Sequence, residues 1–194
     1  VKLILAGTAL SAICTAVSNF FLYVINTSSG ALEAVVRWTM GSLAAASWDT
    51  NLWMLAVAVL GALFFWTQYR TLNLMLLGDE AAVTLGTDLH RWRIVYLLAA
   101  SLLVGFAVYT AGIIGFVGLV IPHVVRILFG TDHKRLIPLS ALSGAVFLIW
   151  ADVVCRIILK NAELPVSILI SLIGAPCFIY LMARKSYGFG GGRE

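Results

Sequence analysis

The sequence predicts an all-α, polytopic membrane protein with about six transmembrane helices. Hydrophobic residues make up 61% of its 194 residues and charged residues only 11%, and the mean hydropathy is +1.00. A soluble domain has roughly 25% charged residues and could not bury this much apolar surface in one core. Several uncharged runs also reach the roughly 20 residues that a helix needs to cross a bilayer. The net charge of +4 is small and dispersed along the chain, which argues against a nucleic-acid partner.

The uncharged runs divide the chain into spans. The first run begins at Leu3 and is too long for the core of a signal peptide, so we interpret it as a span. The stretch from Ile94 to Pro122 is too long for one span, and we divide it at the glycines of Gly112–Gly115. The predicted spans cover residues 3–25, 52–69, 94–111, 116–130, 136–159 and 164–183.

The spans make residues 1–187 one membrane region, followed by a glycine-rich, flexible tail at residues 188–194. Because the chain begins with Val1, the sequence leaves open whether it is a fragment of a longer protein. The amphipathic stretch Ala31–Leu43 predicts a short interfacial helix between the first two spans. Ten Lys and Arg residues lie on one side of the predicted spans and three on the other. Since basic loops remain in the cytoplasm, both ends of this segment are predicted to be cytoplasmic.

Motifs of zinc hydrolases, serine hydrolases and phosphate-binding loops are missing from the sequence. The three cysteines and three histidines lack the spacing of metal ligands or of a disulfide framework. We therefore predict no catalytic residue, no cofactor and no metal site. If the protein moves a solute uphill, the energy comes from another chain.

A glycine repeat is the first candidate functional feature. Gly112, Gly115 and Gly118 recur every three residues and leave a surface without side chains. Pro122 cannot donate a hydrogen bond to the carbonyl four residues earlier, which weakens the helix before His123. The repeat fits either close helix packing with a buried histidine or the lining of a transport pathway.

Two further features carry charge. Asp152 and Arg156 stand one turn apart near the end of the fifth span, where they fit either an intrahelical ion pair or an external docking point. In the segment Leu76–Gly86, Asp79 can cap a short helix that stops at Gly86. That helix is either a handle for a soluble partner or an ordinary interfacial helix.

Several strings together resemble the FecCD family of ABC-importer permeases, over essentially the whole chain. The most specific are "GFVGLVIPH" at residues 115–123 and "AELPVSILISLIGAP" at residues 162–176. "LNLMLLGDEAAVTLG" at residues 72–86 and "DHKRLIPLSALSGA" at residues 132–145 match as well. The resemblance implies the second half of a type II permease fold that has about ten helices, and a bacterial inner-membrane location.

The resemblance also implies the partners and their contacts. Family members take up iron–siderophores, haem or vitamin B12 through a channel between two permease subunits. Two ATP-binding subunits bind on the cytoplasmic side, and a substrate-binding protein docks outside, where Arg156 falls. The predicted helices at residues 3–25 and 164–183, together with the short helix at 31–43, resemble the helices that line the pathway in family members. The residues implied to contact the ATPase are Leu77, Gly78, Asp79, Glu80, Ala82, Leu85 and Gly86.

Two other classes stay open on the residues alone. A secondary transporter driven by an ion gradient would need ionisable residues deep in its spans, and only His123 and Asp152 come near that. A membrane subunit with a purely structural role is the other class. The sequence does not identify the transported ligand.

Overall fold

The structure is a computed structural model, and it describes residues 2–25, 31–43, 46–78, 88–158 and 164–185. All regular structure within these residues is α-helical, as the composition predicts. The eight described helices are α1 (Lys2–Ile25), α2 (Ala31–Thr39), α3 (Trp48–Thr67), α4 (Tyr69–Leu76), α5 (Leu89–Ala111), α6 (Val117–Phe129), α7 (His133–Ile158) and α8 (Val166–Lys185). The predicted tail at 188–194 lies outside the described residues.

The chain forms two compact units. Val1–Thr39 holds α1 and α2, and Met40–Glu194 holds the other six helices. Three hydroxyl groups of α1, those of Thr8, Thr15 and Ser18, donate to carbonyls of the same helix, for example from Thr15 Oγ1 to the carbonyl of Ser11 at 2.8 Å. Side-chain hydroxyls satisfied in this way suit a helix that is surrounded by lipid.

Four helices are long and apolar enough to cross a membrane: α1 (over Leu5–Val24), α3, α5 and α7. Helix α6 has 13 residues, about 20 Å at roughly 1.5 Å per residue, whereas the hydrocarbon core is about 30 Å thick. The described apolar part of α8, Val166–Tyr180, is also shorter than the four long helices. A helix therefore occurs at each of the six predicted places, while the count of six complete spans stays a prediction.

Helix ends differ from the predicted span ends because capping groups, not the limits of the uncharged runs, fix them. Helix α5 begins at Leu89 rather than Ile94, since Asp88 accepts a hydrogen bond from the backbone N–H of Arg91 at 3.3 Å. The predicted helix at 31–43 ends at Thr39, two residues before Gly41 with its φ of 66°. After the turn at Gln68, helix continues as α4, beyond the predicted end of the second span.

The second unit has a small core where α7 and α8 meet the connection between α5 and α6. Ala151 and Cys155 of α7 pack there with Val166 and Ile170 of α8. Around them lie partly buried apolar side chains, namely Leu43, Ile114, Phe116, Val117, Phe147, Leu148, Leu164 and Leu169. Most other large apolar side chains of the described helices are exposed. Such a surface needs lipid or protein partners to cover it.

Candidate functional site

A break in the helix separates α5 from α6, as the sequence predicts. The N–H of Gly112 donates to the carbonyl of Val108 at 2.9 Å, and the φ of Gly112 is 71°. Residues 112–115 are not helical. Phe116 has a φ of 63°, and among the described residues it is the only residue other than glycine whose φ is positive. A conformation of this kind costs roughly 1–3 kcal/mol, so surrounding contacts must hold it.

Two glycines from other elements provide those contacts. A Cβ placed on Gly174 of α8 would lie 2.7 Å from the Cβ of Phe116. A Cβ placed on Gly41 would lie 2.7 Å from the carbonyl oxygen of Ile113, and the next residue, Ser42, donates its N–H to the carbonyl of Ala111 at 2.9 Å. The sequence alone does not predict these close approaches, because each glycine meets a partner far along the chain.

At the rest of the glycine repeat, a Cβ would meet open space among the described residues. A Cβ on Gly115 or Gly118 would meet no atom within 4 Å. Close helix packing inside the described residues therefore does not explain these two positions. A surface for another chain or for a transported solute stays a proposal.

Helix α6 carries the other predicted residues of this region. Pro122 lies inside the helix, and it is half-buried like its neighbour His123. Val125 is buried, and the last turn holds Arg126, whose Nε is buried with no hydrogen-bond partner among the described residues. This helix packs mainly on α7 and also touches α8.

Asp152 and Arg156 form the intrahelical ion pair that their spacing predicts. Arg156 Nε lies 2.8 Å from Oδ2 of Asp152. The Arg156 side chain is 49% exposed and the Asp152 side chain 22% exposed. A guanidinium group has further donors beyond Nε, so a second role in docking is compatible with this pair.

A polar cluster at the opposite end of α7 was missed by the sequence reasoning. Asn73 of α4 donates from Nδ2 to Oδ1 of Asp132 at 2.8 Å, and its own Oδ1 accepts the backbone N–H of His133 at 2.9 Å. The Nδ1 of His133 lies 2.8 Å from the same Asn73 oxygen. We call these three residues the Asn73 clasp. The clasp fixes α4 to the start of α7.

Local hydrogen bonds support the clasp. The backbone N–H of Lys134 donates to Oδ1 of Asp132 at 3.0 Å, so Asp132 caps α7. Trp66 of α3 donates from Nε1 to the carbonyl of Lys134 at 3.1 Å. The hydrogen bond from Asn73, followed by that from Lys134, holds the pKa of the Asp132 carboxyl below its ordinary value. An aspartate just before a helix is a readable cap signal, whereas its partner 59 positions away is not.

The predicted ATPase-contact segment begins directly after α4. Leu77 and Gly78 are exposed, and Gly78 has a φ of 98° with open space where a Cβ would lie. The other predicted members, Asp79, Glu80, Ala82, Leu85 and Gly86, lie outside the described residues. The clasp thus anchors the helix that leads into this segment.

The described residues contain no group of three or more His, Cys, Asp or Glu that could hold a metal ion. The cysteines are separate, with Cys14 exposed, Cys155 buried and Cys177 half-buried. The described geometry is that of a helical membrane domain with a broken helix, a surface arginine pair and an anchored connecting segment.

Comparison with known proteins places this geometry in a family context. The sequence profile of the FecCD transport family matches residues 1–184. The hemin transport system permease protein HmuU of Yersinia pestis is 40% identical over 188 residues, which is 95% of this chain and 54% of that protein. The vitamin B12 import system permease protein BtuC of Salmonella typhi is 38% identical over 185 residues, 95% of this chain and 56% of that protein.

A solved structure is similar over the same region. It is described as an inward-facing conformation of a metal-chelate type ABC transporter, and it superposes with a TM-score of 0.86 at 35% identity. The superposition covers 93% of this chain and 58% of that chain. The chain thus spans about half the length of the relatives that it matches.

Proposed function

Because this chain belongs to the FecCD transport family, we propose that it is part of the transmembrane permease subunit of a binding-protein-dependent ABC importer. The family match over residues 1–184 carries the proposal. A separate ATP-binding subunit supplies the energy, since the sequence lacks a phosphate-binding loop of its own. The relatives named above are a hemin transport permease, a vitamin B12 import permease and a metal-chelate type ABC transporter. We accordingly propose a large, metal-bearing chelate or corrinoid as the substrate class.

We propose that a second permease subunit forms the pathway together with this one. Exposed apolar side chains on α1 and α3 support such a partner, as does the open space at Gly115 and Gly118. A side-chain-free patch lets another backbone or a bulky solute approach closely. Pro122 and His123 then lie on the helix that borders this patch.

We propose that two ATP-binding subunits bind on the cytoplasmic side and that the segment from Leu77 to Gly86 contacts the ATPase. Gly78 is exposed and adopts a left-handed backbone conformation immediately after α4. The Asn73 clasp holds α4 on α7, so a force on this segment would reach the bundle through a hydrogen-bonded joint. The excess of basic residues on this side supports a cytoplasmic position, with both ends of the segment in the cytoplasm of the bacterial inner membrane.

A substrate-binding protein is proposed to dock at the other side through Arg156. Its side chain is half-exposed, and Asp152 holds Nε at 2.8 Å. A guanidinium oriented in this way can bind a partner carboxylate with two parallel hydrogen bonds. The Asp88–Arg91 pair, at 2.9 Å, lies on the opposite predicted side, and Arg91 is a control for substitutions at Arg156.

ATP hydrolysis by the assembled complex tests the function. The permease that carries these residues is purified with a candidate ATPase in nanodiscs, and hydrolysis is measured with the binding protein, loaded or empty. We expect the loaded binding protein to stimulate hydrolysis. Failure of the ATPase to copurify, with transport that follows a proton or sodium gradient, would instead identify a secondary transporter. If the ATPase does not copurify and no transport is observed, the result would identify a structural subunit.

A further inference from the structure

An apolar groove runs between α3 and α7 at the end of the bundle that holds the Asn73 clasp. Its volume is about 540 Å³, within the range of roughly 300–1,000 Å³ that is typical of ligand sites. The walls are Val59, Ala62 and Leu63 on one side and Ile137 and Pro138 on the other. Both helices are long and apolar enough to span a membrane.

The mouth of the groove is charged and aromatic. Lys134 and Arg135 lie there with Trp66, and both basic side chains are exposed. The ammonium group of Lys134 lies 5.8 Å from the centre of the Tyr69 ring, which favours a cation at this place. Asp132 also lines the mouth, but its Oδ1 accepts hydrogen bonds from Asn73 and from the backbone of Lys134. Two cations against one engaged carboxylate leave the mouth positive.

We propose that this groove binds one anionic phospholipid molecule. An acyl chain lies along Leu63 and Ile137, and the phosphate lies against Lys134 and Arg135. Trp66 is 43% exposed and donates to the carbonyl of Lys134 at 3.1 Å, a position that suits the membrane interface, where tryptophan is enriched. Basic pockets between transmembrane helices bind anionic headgroups by the same combination of apolar wall and charged rim.

The occupant needs both a long apolar tail and a negative head. A free anion would leave the apolar walls uncovered, and a lipid with no net charge would leave the excess positive charge of the mouth unbalanced. A lipid held here would bridge α3 and α7 beside the clasp. It would therefore stabilise the joint that connects α4 to the bundle, whatever solute the protein transports.

Native mass spectrometry of the full chain in detergent tests the proposal, with phosphatidylglycerol and phosphatidylcholine as probes. Each cation near an anionic headgroup changes the affinity by about fivefold. We expect Lys134→Gln and Arg135→Gln each to weaken phosphatidylglycerol binding about fivefold, and the double variant at least tenfold. Arg91→Gln is the charge control, since Arg91 is exposed and lies outside the groove.

A second pair of variants tests the tail. Ala62→Leu fills the groove and is expected to weaken phosphatidylglycerol binding, whereas Ala145→Leu, at an exposed site on α7 outside the groove, is not. Equal binding of the two lipids would overturn the proposal. It would also be overturned if Arg91→Gln weakened phosphatidylglycerol binding as much as Lys134→Gln and Arg135→Gln do. Full displacement by inorganic phosphate with no effect of Ala62→Leu would identify an anion site only. Melting curves without lipid confirm that each variant is folded.

Discussion

Alanine at Gly174 is expected to loosen α8 from the helix break. The new Cβ would lie 2.7 Å from the Cβ of Phe116 and 3.1 Å from its Cγ. Carbon atoms pack best at roughly 3.5–4.0 Å, so the two backbones must separate by about 1 Å. The Cβ of Phe116 cannot rotate away, because it is attached directly to a backbone held at a φ of 63°.

The net free energy combines two opposing effects. Overpacking costs about 1–3 kcal/mol, whereas alanine gains about 0.5–1 kcal/mol over glycine inside a helix. The middle of the two ranges gives an expected loss for Gly174→Ala of about 1 kcal/mol, or roughly 2–4 °C in Tm for a chain of this size. Gly144→Ala on α7 is the matched control, because a Cβ there meets only Ile121 Cγ2 at 3.9 Å. Its Tm is expected to stay unchanged or rise.

Thermal unfolding in detergent, followed by circular dichroism, measures these shifts. A double-mutant cycle with Phe116→Gly isolates the contact, since glycine at position 116 removes both the clashing Cβ and the positive-φ strain. We expect the loss caused by Gly174→Ala to disappear in the Phe116→Gly background. Equal Tm values for the two alanine variants, or an undiminished loss in that background, would refute the reasoning.

The clasp, the two proposed docking sites and the open glycine surface give the remaining predictions. Asn73→Ala is expected to lower the Tm near neutral pH, with a difference from wild type that shrinks below about pH 4. The hydrogen bond from Asn73 lowers the pKa of Asp132, so the part of the clasp's stability that this bond contributes is lost as the carboxyl is protonated. A pH series of melting curves checks this, and a pH-independent difference contradicts it. Arg156→Glu is expected to slow capture of the binding protein, most clearly at low ionic strength. If the association rate and its dependence on salt were the same in the variant as in wild type, Arg156 would not be the docking point. Gly78→Trp is expected to uncouple ATP hydrolysis from uptake while ligand still binds the external protein, and normal coupled uptake would exclude this contact. Gly118→Leu is expected to leave the Tm unchanged but to impair permease dimerisation or transport. Normal dimerisation together with normal transport would show that neither process requires glycine at this position.

The sequence predicts the helices well because uncharged runs and helix-breaking glycines act locally. The division of the stretch from Ile94 to Pro122 at Gly112–Gly115 is confirmed by the non-helical residues between α5 and α6. Helix starts are predicted less well, since caps such as Asp88 and Asp132 lie outside the uncharged runs. A cap adds a turn of helix that hydropathy alone does not reveal.

Contacts that depend on distant partners could not be predicted from the sequence. Asn73 is one polar residue in an amphipathic segment until the fold brings it to Asp132 and His133. The glycine repeat illustrates the converse. Its spacing is typical of close packing, but a Cβ at Gly115 or Gly118 would meet no atom within 4 Å among the described residues. The pattern alone does not say which chain is the partner.

ATP-driven uptake into proteoliposomes tests the central claim most directly. The permease that carries these residues is reconstituted with its ATPase and binding protein, and uptake of a radiolabelled haem, ferric chelate or cobalamin is measured. We predict accumulation that requires ATP on the face holding Arg70 and Lys134 and that stops when the ATPase is left out. Accumulation that follows an imposed proton or sodium gradient without the ATPase would contradict the account.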